Sequence, residues 1–150
     1  MKPLPHTYEV ALAGAQAGYA IVSGTGLPDL TTAPPSEYDG PGDAWSPEHL
    51  LLAAVSSCFL FTFRAVAKAS HIDFVEVEAA TSGTVDKTAG TIRFADILLR
   101  TTVTAASGAD PAAVHRAVDK AAARCLVSSS LQTPVRVEAA IRSAAGAAAA

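Results

Sequence analysis

The chain reads as an α+β domain in which a mainly antiparallel sheet wraps around a long central helix. Three observations predict this. A run of apolar and small residues, Leu50 to Phe63, follows strong helix-start signals. Segments of period-two alternation come as hairpin pairs before and after that run. Helices and strands do not interleave in the regular way that a fully parallel sheet requires.

The elements follow in order. Tyr8, Val10 and Leu12 alternate along His6–Leu12, and Gly14 to Gly18 supplies a turn before Tyr19–Ser23, so the chain opens on a hairpin. Gly24-Thr25-Gly26 breaks the pattern, and a short third strand is expected around Asp29–Ala33. Pro34-Pro35 and Gly40-Pro41-Gly42 make residues 34–45 a long loop. Ser46 can then cap a helix whose first position, Pro47, needs no amide donor. That helix should run to about Ser70 and, lacking a wide polar face, should be buried on most sides.

Beyond it, Val75, Val77 and Ala79 alternate with Glu76 and Glu78 in a strand reaching about Val85. Asp86–Gly90 turns the chain into a second long strand, Thr91–Thr104, with Ile92 and Phe94 inward and a slip at Ala95–Asp96 that a bulge explains. Asp110-Pro111 repeats the cap-plus-proline start, and Val114, Val118 and Ala121 recur at helical spacing up to Arg124, with Cys125 on the same face. After a short turn near Val127–Leu131, Val135, Val137, Ala139 and Ile141 alternate with Arg136, Glu138 and Arg142 in a closing strand. Residues 1–142 are thus read as one domain, and the Ala/Gly-rich tail, residues 143–150, as frayed. The central helix carries more apolar surface than about six short strands can cover, which points to a homodimer.

Composition narrows the function. Half of the 150 residues are apolar, enough for one core. A net charge of −3 without a basic cluster argues against a nucleic-acid partner. The uncharged run Leu50–Phe63 is shorter than the roughly 20 residues that span a bilayer, so no membrane association is expected. The small-residue stretch Ala11–Ala20 is preceded by Pro3, Pro5, His6 and Glu9, unlike a secretory signal, and a cytoplasmic location is expected. Two cysteines without CxxC spacing make neither a disulfide scaffold nor a zinc site, and no metal or other cofactor is expected.

That leaves two buried bystanders or a redox pair. A thiol peroxidase needs a stabilised thiolate, an apolar approach for the peroxide and a second thiol to capture the sulfenic acid. The helix face of Cys58 includes Leu51, Ala54, Val55, Phe61 and Thr62, with Phe59 and Phe63 flanking, a setting suited to a hydrophobic organic peroxide. If the pair is redox-active, Cys125 resolves rather than attacks, because the negative end of a helix disfavours a thiolate. On the residues alone, both cysteines fit equally well as small core hydrophobes.

The run Gly40-Pro41-Gly42-Asp43, Trp45-Ser46-Pro47-Glu48, Leu50-Leu51-Leu52-Ala53-Ala54 and Ser57-Cys58-Phe59, together with Cys125-Leu126-Val127-Ser128, resembles the OsmC/Ohr family of osmotically inducible and organic hydroperoxide resistance proteins. The resemblance extends to about Arg142. It implies an OsmC-like fold and an intertwined homodimer with two active sites at the interface. There the first cysteine reduces a hydroperoxide and the second closes a disulfide, while a glutamate and an arginine polarise the reactive thiol. Glu48 matches the glutamate.

Ten residues of helix span about 15 Å, so Glu48 cannot reach Cys58 of its own chain. Two helices packed antiparallel and crossing near Ala53 would set Glu48 of one copy beside Cys58 of the other. The arginine has no match: the first hairpin turn reads Gly14-Ala15-Gln16-Ala17-Gly18, and Gln16, the nearest residue, carries no charge. Arg64 lies six residues beyond Cys58 and points nearly opposite it, as a solvated or ion-paired side chain. His49 is read as a surface residue of the first turn, Trp45 as an anchor for the loop, and His6, His71 and His115 have no metal-binding spacing.

The resulting expectation is a thiol-dependent peroxidase reducing organic hydroperoxides to alcohols. Cys58, Cys125 and Glu48 are its catalytic residues, and Gln16, Phe59, Phe61 and Leu51 its substrate contacts. An external dithiol, a lipoylated protein in the Ohr branch, would restore the thiols. Two other readings stay open: a non-enzymatic dimer holding a hydrophobic small molecule in the interface pocket, and a redox sensor that forms the disulfide without turnover.

Overall fold

The computed structural model describes residues 3–144. It divides into two compact units, Met1–Leu51 and Leu52–Ala150.

In the first unit, strands β1 (Ala11–Gly14), β2 (Ala20–Ser23) and β3 (Leu30–Thr32) form an antiparallel sheet in that order. The opening hairpin is present, with Ala11 opposite Ser23 and Gly14 opposite Ala20, but it is shorter than the alternation suggests. Gly24 turns the chain after Ser23, accepting the amide of Leu27 at 3.0 Å, so the pairing with β2 stops at Ala11, and Tyr8 and Val10 stay exposed. The loop after β3 is ordered. Ala33 donates to the Trp45 carbonyl at 3.1 Å, Ser36–Tyr38 makes a 3-10 turn, and Gly40 lies so close to the Pro34 carbonyl that any Cβ would overlap it.

Helix α1 (Pro47–Ala69) begins where the sequence signals it. Ser46 caps it through its hydroxyl, which accepts the His49 amide at 3.3 Å, while its carbonyl accepts the Leu50 amide at 2.9 Å.

The second unit takes α1 from Leu52 onward and adds β4 (Phe74–Thr88), β5 (Thr91–Ala105), α2 (Pro111–Arg124), α3 (Leu126–Ser129) and β6 (Val135–Ser143). Its sheet runs β4-β5-β6. A two-residue turn, Ala89-Gly90, both at positive φ, closes the long β4–β5 hairpin. The anticipated bulge is there: Thr84 faces Asp96 and Val85 faces Phe94, leaving Ala95 unpaired. A second irregularity was not signalled. Phe74 faces Ala105 and Glu76 faces Thr104, so Val75 is the extra residue and turns outward, 66% exposed.

Ile92, expected inward, is 63% exposed. The buried part of β5 is confined to Ile97–Ala105, and Ile92, opposite Lys87, lies next to the hairpin tip. The closing strand pairs parallel to β5, from Ile97 opposite Val135 to Ala105 opposite Ser143, so α2 serves one crossover in an otherwise hairpin-built fold. Asp110 caps α2, accepting the amides of Ala112 and Ala113 at 2.9 and 3.2 Å.

The core of this unit draws Val55, Phe59, Phe63, Val66 and Ala67 from α1, Leu99, Val103 and Ala105 from β5, and Val114, Ala117, Val118 and Ala121 from α2. Phe59 stacks on Phe63, whose ring meets Phe74 edge-on at 5.2 Å. The α+β class and the long helix hold, yet the strands make two sheets rather than one. Nor is α1 buried on most sides: Ser57, Phe61, Arg64 and Ala65 are exposed opposite the core stripe. Its 23 residues include an 18-residue window of mean hydropathy 1.9 and are long and apolar enough to cross a membrane by length and composition, which the shorter uncharged run had not suggested. Here the buried stripe forms core with α2 and the sheet. Ser143, placed in the frayed tail from sequence, ends β6, and Ala144 donates to Ala105 at 2.9 Å; residues 145–150 lie outside the described residues.

Candidate active site

Two free thiols meet in the second unit. Cys58 sits half-buried in the fourth turn of α1, while Cys125 is 1% exposed, in extended backbone between α2 and α3. That junction sets the geometry. Cys125 ends α2 by donating its amide to Ala122, then starts α3 by accepting the Ser129 amide at 3.0 Å. The first turn of α3 therefore has unclaimed amides, and that of Val127 points at Cys58 Sγ, 3.5 Å away.

Burial pushes the Cys58 thiol up, but four donors together outweigh it: the Val127 amide, the Cys125 thiol, the Thr62 hydroxyl and the Leu126 amide. The net result lies below the ordinary cysteine value. Cys125 goes the other way. Burial raises it; the Ser128 hydroxyl, 3.2 Å from its sulfur, and the Ser128 amide only partly offset this, and a negative neighbour at Cys58 raises it further. One sulfur is thus prepared to ionise and the other to keep its proton.

Among the other residues expected in a site, Phe59 is 1% exposed and belongs to the core, so it does not line an open approach. Its side chain follows the stripe Val55-Phe59-Phe63, a quarter-turn away from Cys58. Phe61 is exposed, with the Arg64 guanidinium 5.5 Å above its ring; Arg64 is therefore held by a cation–π contact rather than an ion pair.

Gln16, Glu48 and Leu51 fall in the first unit. Gln16 occupies the exposed hairpin turn, and Leu51 is half-buried. Glu48 lines a cavity of about 410 Å³, with Leu12, Ala33, Pro34, Pro35 and Tyr38 among its walls. Its Oε2 is buried and, among the described residues, has no hydrogen-bond partner. His49 is engaged in the helix cap, its Nδ1 2.9 Å from Ser46 Oγ and its ring edge-on to Trp45. No group of three metal-ligating side chains occurs among the described residues.

Sequence reading found both thiols but missed their donors. Val127 and Leu126 act through backbone amides, which leave no mark in residue identity. Thr62 was legible as the residue one turn beyond Cys58, and Ser128 as the third residue after Cys125.

Comparison with known proteins agrees with this architecture. The family model described as OsmC-like protein matches residues 40–140. An uncharacterised protein of Bacillus subtilis strain 168, YmaD, is 30% identical over 107 residues, covering 69% of this chain and 71% of that protein. Among solved structures, an OsmC-like protein of unknown function from Vibrio cholerae superposes with a TM-score of 0.84 at 15% identity, over 90% of this chain and 99% of the other. An organic hydroperoxide resistance protein OsmC from Legionella pneumophila does so with a TM-score of 0.74 at 23% identity, over 93% and 99%. With the family model spanning the caps, the central helix and both thiols, the chain belongs to the OsmC-like protein family.

Proposed function

We propose that this protein is a thiol-dependent peroxidase that reduces organic hydroperoxides to alcohols, with Cys58 attacking and Cys125 resolving. The observation that carries the reading is the opposed state of the two sulfurs: Cys58 lowered by converging donors, Cys125 raised in its buried junction. The name of the Legionella pneumophila protein, organic hydroperoxide resistance protein, supports the substrate class.

The Cys58 thiolate attacks the hydroperoxide oxygen that bears hydrogen. The O–O bond breaks, sulfur is oxidised to the sulfenic acid, and the alkoxide leaves and takes a proton to become the alcohol. Cys125 then attacks the sulfenic sulfur, losing its thiol proton as water departs, and the disulfide forms. An external dithiol, such as a lipoyl group on a carrier protein, reduces that disulfide and becomes oxidised itself. The working unit is a cytoplasmic homodimer in which Glu48 of one copy approaches Cys58 of the other. Phe61 and Leu51 are apolar contacts for the peroxide, and Gln16 stands in the turn where the family arginine is expected.

The test supplies cumene hydroperoxide and dihydrolipoamide to wild type, Cys58→Ser and Cys125→Ser and follows peroxide loss. Wild type turns over, and Cys58→Ser falls by at least about a thousandfold, since a hydroxyl near neutral pH is a poor nucleophile. Peroxide consumption by Cys58→Ser at the wild-type rate would overturn the reading.

A further inference from the structure

Three consecutive serines, Ser128, Ser129 and Ser130, follow the Cys125 junction, and their hydroxyls are used differently. That of Ser130 takes the ordinary helical course, donating to the Leu126 carbonyl one turn earlier at 2.9 Å. Ser129 is exposed. Ser128 is the third residue of α3, so the carbonyl four residues before it belongs to the end of α2 rather than to its own helix. Its hydroxyl turns instead to the Cys125 sulfur, donating at 3.2 Å.

That sulfur is the one that must shed its proton while a disulfide closes. Cys125 is 1% exposed, so water cannot solvate charge that builds on it. It also follows directly on the carbonyl end of α2, which opposes negative charge. A hydroxyl already aimed at the sulfur takes the place of the missing water. Its hydrogen bond strengthens as the sulfur becomes an ion, and no group has to move for this to happen. The four donors aimed at Cys58 do not include Ser128, so the two sulfurs draw on separate side-chain hydroxyls, Thr62 for one and Ser128 for the other.

We infer that Ser128 is a positioning residue for the second chemical step alone: its hydroxyl holds the Cys125 sulfur in place and stabilises it as a thiolate during its attack on the Cys58 sulfenic acid. The inference rests on the peroxidase reading above. In this step an electron pair of the Cys125 sulfur forms the S–S bond and the S–O bond of the sulfenic acid breaks. The departing hydroxide takes the Cys125 proton and leaves as water. Cys125 is oxidised and the sulfenic sulfur reduced, both to the disulfide level, and Ser128 keeps its own proton throughout.

The test uses full-length protein and follows the two steps apart. Reduced protein is mixed with one equivalent of cumene hydroperoxide, quenched in acid at successive times and resolved by intact-mass spectrometry into dithiol, sulfenic acid and disulfide. Ser128→Ala keeps the backbone of α3 and deletes the hydroxyl. Its loss of dithiol should stay within about twofold of wild type while disulfide closure slows at least about tenfold, as one hydrogen bond to a charged group implies. Sulfenic acid should therefore accumulate, and the rise of the closure rate with pH should move to higher pH, because Cys125 has lost a donor. Ser128→Thr, which keeps a hydroxyl, should restore both, and Ser129→Ala should match wild type. Closure at the wild-type rate in Ser128→Ala, equal slowing of both steps, an unshifted pH profile, a threonine variant no better than alanine, or the same slowing in Ser129→Ala would each overturn the inference. Failure of Cys125→Ser to form any sulfenic acid at Cys58 would instead overturn the peroxidase reading, and this inference with it.

Discussion

The turn of α1 around Cys58 and the α2–α3 junction around Cys125 hold the same side chain in the same unit, yet they treat it oppositely. Cys58 is the more accessible and receives donors from three directions: α3 backbone, the neighbouring thiol and the hydroxyl of Thr62. Cys125 is sealed in the core and has one residue, Ser128, working against its burial. Burial acts on both in the same sense. The donors aimed at Cys58 outweigh its burial, whereas those aimed at Cys125 do not, and the charge on Cys58 adds to the difference.

The largest expected effect is the trapping of the oxidised sulfur. Treated with one equivalent of hydroperoxide and dimedone, Cys125→Ser should carry the label on Cys58, because no thiol remains to consume the sulfenic acid. Cys58→Ser should stay unlabelled. Mass spectrometry reads the outcome, and a label on Cys125 in the Cys58→Ser protein would reverse the assignment.

Next comes the contrast in native reactivity. With reduced wild type at pH 7, iodoacetamide should modify Cys58 at least about tenfold faster than Cys125, since thiolate fraction and access favour the same sulfur. Equal rates, followed by peptide mapping, would remove the distinction on which the mechanism rests. A smaller change should follow Thr62→Val, which keeps the shape and deletes one of four donors. Alkylation of Cys58 at pH 7 should slow by about two- to fivefold, with Cys125 unaffected. An unchanged rate would assign the stabilisation to the α3 amides alone.

These contrasts also mark what residue patterns can convey. Both helix starts were legible because Ser46-Pro47 and Asp110-Pro111 are local chemical devices, and the bulge at Ala95 was legible because one inserted residue visibly breaks a period of two. The outward turn of Val75 was not, since a bulge at a strand end leaves too few residues to show a slip. The parallel pairing of β6 was hidden as well: alternation reports which face a side chain takes and says nothing about strand direction.

Reading α1 as buried on most sides took apolar composition for burial, but within one chain a helix lying on a sheet covers only the stripe it presents. At the site, the helix-dipole argument made Cys125 the weaker acid; in the structure burial is the first cause that raises it. That reading missed that the same junction starts α3, whose amides serve the other cysteine.

The smallest expected effect tests both sulfurs at once through stability. For Cys58, the folded protein holds the proton less tightly than the unfolded chain does. Its stabilising contribution is therefore fully present above the unfolded thiol value, about 8.5, and is lost as pH falls through the lower folded value. For Cys125 the folded protein holds the proton more tightly. Its contribution is present below about 8.5 and is lost as pH rises through the higher folded value.

Urea unfolding under reducing conditions between pH 7 and 10, referenced to the double serine variant to cancel lysines and tyrosines, should separate the two. Cys125→Ser, which retains Cys58 and a hydroxyl donor beside it, should gain stability up to about pH 8.5 and then level off. Cys58→Ser, in which burial still dominates Cys125, should stay level to about that pH and then lose stability. Slopes of the same sign in the two single variants would show that the junction and the helix treat their thiols alike, and the contrast between attacking and resolving sulfur would have to come from accessibility alone.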